Sequence, residues 1–264
     1  MRIVHNISVN SSARVRAELA RLDFVVPDRG LIRLCLDEED VRWPGLRAWA
    51  KISDALHRVE TKFSDEEIDT ADWLALLPQF VKGYPSPDGN ATDYLKNTYD
   101  LSGYCSECGV GKKQNAPFRI NGRIKGGRNG IVQLNWVFDE YFVRPEIWGA
   151  VFDPMGIRSL PVLTRGGREM DDIVQLVISE EVELASGGLS SQVCGVCGRA
   201  KYKPIARGPW PRLGAAPASV LARSKQVFGG GPSAFNEIIV SGVVRDALRT
   251  AKVRGVQYAP MPVG

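Results

Sequence analysis

The sequence predicts an α+β protein of mixed sheets, and three observations point there. Strand-like and helix-like stretches follow one another without the regular alternation that a doubly wound parallel fold needs. Two turns of the same form, Cys105-Ser106-Glu107-Cys108-Gly109 and Cys194-Gly195-Val196-Cys197-Gly198, lie far apart in the chain. A chain of 264 residues with 44% apolar and 24% charged residues is long enough for one large core or two smaller ones.

The elements are justified in order. Asn10-Ser11-Ser12 opens a helix with Val15, Leu19 and Leu22 along one face. Residues 30–36 read as a strand, in which Cys35 is expected to be a small buried apolar side chain. Ser64-Asp65-Glu66-Glu67 has the form of a capping box, opening a helix whose Ile68, Ala71, Trp73, Leu74 and Leu77 make a buried face before Pro78. The turn-rich residues 83–90 mark a boundary. Residues 117–120 and 131–138 read as strands flanking an exposed, glycine-rich loop at 122–130. Pro145 begins a short helix, residues 173–184 read as one long strand leading to the second cysteine turn, and residues 207–217 read as irregular. The chain closes with a strand at 235–240, a helix capped by Ser241 and a last strand at 255–258.

The cysteines carry the most specific chemistry. Each Cys-x-x-Cys turn can present two thiolates to one ion, and two such turns complete a closed Cys₄ shell typical of structural zinc. A glycine after each second cysteine can take the left-handed conformation that turns backbone N–H groups toward the sulfurs. Cys105, Cys108, Cys194 and Cys197 are therefore the expected ligands of one structural Zn²⁺ per chain. Disulfides or redox pairs are the other readings of the same spacing. Cys108 and Cys194 are separated by 85 residues, far more than a compact ribbon needs. The expected architecture is thus a zinc-ribbon-like clamp formed by two distant knuckles. It divides the chain into an N-terminal α+β region (1–90), a metal-stapled β-rich subdomain (91–206) and a C-terminal strand-helix-strand segment (207–264).

Charge is unevenly placed. The net charge is +4, but residues 199–264 carry +9 and the first 198 residues −5. Each knuckle is followed by a run of cations without acids: Lys112, Lys113, Arg119, Arg123, Lys125 and Arg128 after the first, and Arg199, Lys201, Lys203 and Arg207 after the second. If a metal joins the knuckles, these runs converge, and Lys112, Lys113, Lys201 and Lys203 become the candidate partner-binding residues of one positive surface. Such a surface suits an acidic protein or a nucleic acid; for the latter, Phe118, Trp136, Tyr202 and Trp210 are candidate stacking platforms.

Enzyme signatures are sparse. His5 and His57 have no neighbouring nucleophile or carboxylate in a familiar spacing, and the glycine pairs make neither a Walker loop nor a dinucleotide fingerprint. Asp139, Glu140, Asp153, Asp171 and Asp172 could be imagined around magnesium, but adjacent strand residues face opposite ways, so surface charge or helix capping is the better account of Asp139 and Glu140. No run of eighteen apolar residues predicts a membrane span, and the first residues lack the apolar core of a secretory signal, which predicts a cytoplasmic protein.

With its two Cys-x-x-Cys-Gly knuckles and the closing pattern Phe235…Ile239-Val240-Ser241…Leu248…Gly255-Val256-Gln257-Tyr258-Ala259-Pro260, the chain resembles the bacterial double-CXXCG motif proteins. Those are similar to a domain-of-unknown-function family of predicted immunity proteins from polymorphic toxin systems. The resemblance implies a non-enzymatic cytoplasmic protein that binds and neutralises a toxin or serves another bacterial conflict. The residues alone imply a metal-stabilised binding module, with a nucleic-acid binder as the alternative and an enzyme assembled from distant residues as a third reading.

Overall fold

A computed structural model of the chain describes residues 1–124 and 130–264. It is α+β with most of its regular structure in several sheets, and it divides into two compact units. The first comprises residues 1–67 and 205–209, the second residues 68–204 and 210–264. This grouping differs from three consecutive segments. Strand Trp73–Pro78, placed in the expected N-terminal region, is flanked in its sheet by Phe235–Ser241 and Val256–Pro260 from the C-terminal segment. The pairing makes residues 68–90 part of the same body as the cysteines.

In the first unit, strand Arg2–Asn10 pairs antiparallel with Leu31–Asp37 on one side and Leu56–Lys62 on the other. Helix Ala13–Ala20 starts where Ser12 accepts a hydrogen bond from the Val15 amide, as its sequence predicts. Helix Trp43–Ile52 contributes Trp43, Leu46 and Trp49 to a core with Ile7, Val9, Leu19 and Ile32. Alternation along Leu31–Asp37 puts Ile32 and Leu36 inward and Arg33 and Cys35 outward. Cys35 is therefore exposed, and the expectation of a buried side chain is corrected by strand parity. The two histidines, distant in sequence, meet here: His5 is buried against the Trp43 ring, with Nδ1 3.0 Å from His57 Nε2.

The second unit holds a seven-stranded and a five-stranded sheet. In the larger, Leu221–Phe228 pairs antiparallel with Phe235–Ser241, and Glu180–Val182 adds in parallel along Leu221–Phe228. In the smaller, Ser159–Thr164 and Glu169–Leu176 are the central antiparallel pair. Among the described residues, one apolar cluster of the unit gathers around Leu74, Tyr141, Phe152 and Val240 and another around Tyr94, Tyr99, Phe118 and Phe142.

Three expected elements are revised here. The capping box is made: the Ser64 hydroxyl accepts from the Glu67 amide and Glu67 accepts from the Ser64 amide. Its helix, however, ends at Asp69, and Trp73–Pro78 is a strand. Leu74, Ala75 and Leu76 are all buried, so both faces of this strand are covered, and a continuous apolar run of that kind has no period that separates it from a buried helix. The expected long strand at 173–184 is two, Glu169–Leu176 and Glu180–Val182, because the chain crosses from the smaller sheet to the larger between them. Of residues 131–138, only Ile131–Val132 is a strand, and Trp136 sits at φ +68°. Within the expected loop at 122–130, residues 125–129 lie outside the described residues, and with them Lys125 and Arg128.

Candidate metal centre

Each cysteine turn lies between two short antiparallel strands: the first between Tyr99–Asp100 and Lys113–Gln114, the second between Ser191–Val193 and Ala200–Tyr202. The two turns share one backbone pattern. The Gly109 amide donates to Cys105 O at 2.7 Å and the Cys105 amide to Val110 O at 3.0 Å. In the second turn, the Gly198 amide donates to Cys194 O at 2.9 Å and the Cys194 amide to Arg199 O at 2.9 Å. Both glycines take left-handed backbone, φ +77° at Gly109 and +72° at Gly198, as the motif predicts.

The fold brings the knuckles together. Cys105 Sγ lies 3.9 Å from Cys194 Sγ, Cys108 Sγ lies 3.6 Å from Cys197 Sγ, and all four sulfurs are within 4.8 Å of one another. A tetrahedron with metal–sulfur bonds of about 2.3 Å has sulfur–sulfur edges of about 3.8 Å, so this spacing fits one zinc-sized ion. It is far from the roughly 2.05 Å of a disulfide, and all five cysteines are free. Among the described residues, no other group of three or more His, Cys, Asp or Glu side chains converges in this way. Asp153 is exposed and Asp172 lies 3.8 Å from Arg123, so the imagined magnesium cluster does not assemble.

The electrostatics are uneven across the four thiols. The Cys108 amide holds the Cys105 thiol below its ordinary pKa, and the Cys197 amide holds that of Cys194 down to about 7. Burial pushes the Cys108 thiol up to about 12. A cation bound among all four would displace that proton, so metal binding here is coupled to proton release.

Two cations from the second knuckle brace the first. Arg199 donates to Val110 O at 2.8 Å and Gly103 O at 2.7 Å. Lys201 is only 9% exposed; its ammonium donates to Cys108 O at 2.8 Å, Gly231 O at 2.5 Å and Ser233 O at 3.0 Å. The reading of Lys201 as an exposed, partner-facing charge is therefore corrected: all three of its donors face backbone carbonyls inside the protein. Lys112 is also withdrawn, with its side chain 14% exposed, its Nζ 3.9 Å from Asp139 Oδ1 and over the Tyr99 ring. Lys113 and Lys203 remain exposed. Arg207 falls in the first unit, where it pairs with Glu38. A cation run after a knuckle predicts positive charge, but only the fold distinguishes a brace from a surface.

Asp139 and Glu140 require a further correction, because both are buried at 4% exposure rather than lying at the surface. Arg223 donates to Glu140 Oε1 at 3.2 Å and Gln175 to Oε2 at 2.9 Å. Even so, burial keeps the Glu140 carboxyl above its ordinary pKa, against the pull of Arg223. Adjacent residues share this interior because they lie in the irregular approach to strand Phe142–Val143, outside any pleat. Of the stacking candidates, Phe118 and Trp210 are buried, while Trp136 and Tyr202 are half-buried.

No described helix is long and apolar enough to cross a membrane. No protein-family model matches the chain, and no curated protein matches it.

Proposed function

We propose that this is a zinc-stabilised, non-catalytic binding protein, with one structural Zn²⁺ held by Cys105, Cys108, Cys194 and Cys197 in a ribbon-like clamp. The observation that carries the reading is the convergence of four sulfurs to within 4.8 Å of one another, with two pairs, at 3.6 and 3.9 Å, near the roughly 3.8 Å edge of a zinc–thiolate tetrahedron. With four protein ligands, no position stays open for water or substrate, so the ion supplies stability and not Lewis-acid chemistry. It ties together segments 85 residues apart, where a cross-link offsets the most loop-closure entropy. Thiolates kept for a metal suit a reducing compartment, which favours the cytoplasm.

The partner in this reading is another protein. The resemblance to double-CXXCG motif proteins makes a bacterial toxin the favoured class, and the exposed Lys113 and Lys203 are the charges that would meet its acidic face. A nucleic acid is the second reading, with the half-buried Trp136 and Tyr202 as its remaining stacking platforms. The test has two parts. Elemental analysis of protein purified without chelator should give one zinc per chain, with the metal lost in Cys105→Ser or Cys194→Ser and kept in Cys35→Ser. A metal ratio near zero in the unsubstituted protein would remove the reading. Capture of a protein partner from native lysate, weakened by charge reversal at Lys113 and Lys203 with the melting temperature unchanged, would support the protein-binding half; steeply salt-dependent binding to DNA or RNA instead would favour the second reading.

A further inference from the structure

In the first unit, strand Leu31–Asp37 lies at the end of its sheet, paired with Arg2–Asn10 on one side. The Glu38 amide donates to Ile3 O at 2.9 Å and the Ser11 amide to Gly30 O at 2.8 Å, which with the register sets the parity of the ladder. Ile32, Leu34 and Leu36 turn their backbone groups toward Arg2–Asn10, whereas Leu31, Arg33, Cys35 and Asp37 turn theirs off the edge. Among the described residues, no second strand meets these groups. The Asp37 carbonyl accepts from the Asp40 amide at 3.1 Å and keeps a second lone pair.

This edge is long and unguarded. It runs 7 residues without proline or bulge, and Leu31, Ile32, Leu34, Cys35 and Leu36 are apolar. Leu31 is 47% exposed and Leu34 is only half-buried. Sheet edges are ordinarily blunted by shortness, charge, proline or a bulge, because an open apolar edge templates pairing with another strand. The opposite edge of the same sheet, Leu56–Lys62, is blunted in this way by His57, Arg58, Glu60 and Lys62.

We propose that a second copy of this chain covers the open edge, the two Leu31–Asp37 strands pairing antiparallel about a two-fold axis at Cys35. Charge selects that register. Centring the axis on Arg33 sets two guanidiniums opposite one another, which repels, and centring it between Arg33 and Cys35 sets Asp37 opposite Leu31. Centring it on Cys35 sets Arg33 of each copy opposite Asp37 of the other. Asp37 is placed for this contact: Arg2 of its own chain holds it at 3.2 Å, and its side chain is 42% exposed. The joined sheet ends on both sides in the charged Leu56–Lys62, so growth stops at the dimer. Side chains at 33 and 35 lie on the exposed face of the sheet and not in the seam, so Cys35 stays reachable in the dimer. Opposed hydrogen-bonded residues have Cα atoms about 5.5 Å apart, which brings the two Cys35 thiols within reach of one short bismaleimide. The dimer depends neither on the identity of the metal nor on that of a further partner.

Sedimentation equilibrium of the purified full chain, with bismaleimide crosslinking beside it, tests the proposal. The expected result is a monomer–dimer equilibrium with Kd on the order of 10 µM, as for a transient interface, and a covalent dimer that Cys35→Ser abolishes. Arg33→Glu should weaken the dimer about tenfold or more, and Arg33→Glu combined with Asp37→Lys, which restores opposite charges across the seam, should recover it. Cys35→Pro removes an N–H that points off the edge, so it should abolish the dimer and keep the fold, as read by the melting temperature. Monomer at every concentration up to about 300 µM would overturn the proposal and leave the edge to a strand of another protein. A dimer that Arg33→Glu and Cys35→Pro leave unchanged, in protein whose melting temperature shows it folded, would place the contact elsewhere and overturn it equally. A double variant as weak as Arg33→Glu alone would overturn the register.

Discussion

Lys201→Met is the sharpest test of the brace between the two knuckles. The substitution keeps most of the stem volume and removes an ammonium that donates to three carbonyls, those of Cys108, Gly231 and Ser233. Hydrogen bonds to a charged group contribute roughly 1.5–3 kcal/mol each, and a buried acceptor left unsatisfied costs about 1–3 kcal/mol. Relief from desolvating the ammonium works in the opposite direction, and water reaching the partly exposed Gly231 end recovers one acceptor. A net loss of about 3 kcal/mol results, equivalent to roughly 6–12 °C in Tm for a body of this size. Lys203→Met, two residues on and exposed, should change stability by less than about 0.5 kcal/mol. Urea denaturation of both variants, with competition for zinc by a chromogenic chelator, measures the difference, and Lys201→Met should also release metal more readily. Equal stability and equal metal retention in the two variants would refute the brace.

The remaining predictions use other parts of the same body. Gly109→Ala should cost roughly 2–5 kcal/mol, because a Cβ there would lie 2.0 Å from Pro232 O in addition to the left-handed strain; Gly198→Ala, with open space around its Cβ position, should cost only about 1–2 kcal/mol, and thermal melts of the pair read the gap. Glu237 is buried and its pKa is pushed up to about 7 by that burial, so the protein favours its protonated form: the associated stability is full below about pH 4.5 and is lost as pH rises through 7. Glu237→Gln should accordingly raise stability by about 3 kcal/mol at pH 8 and by nothing at pH 4, in denaturant titrations at the two pH values. Exposed Cys35 should be the one thiol that reacts rapidly with a chromogenic disulfide reagent in native, zinc-loaded protein, the other four reacting only after chelation; four or five fast thiols before chelator would contradict a closed site.

The sequence by itself determined the features governed by short-range chemistry. The form of each Cys-x-x-Cys-Gly turn, the left-handed glycines, the Ser12 and Ser241 caps and the Ser64–Glu67 capping box each depend on residues within five positions of one another, and each takes the geometry its residue types favour. The tertiary structure decided where burial and pairing come from afar. Trp73–Pro78 is a strand because partners about 165 to 185 residues later flank both its edges, and no local period records that. Lys201 and Lys203 are the same residue type two positions apart, yet one is enclosed by three carbonyls and the other exposed, because the loop at 231–233 closes over only the first. Asp139 and Glu140 look like ordinary surface acids until strands from three sheets enclose them. Charge and apolarity are written in the chain, but the dielectric that each side chain meets is set by the segments packed around it, and that is a property of the fold.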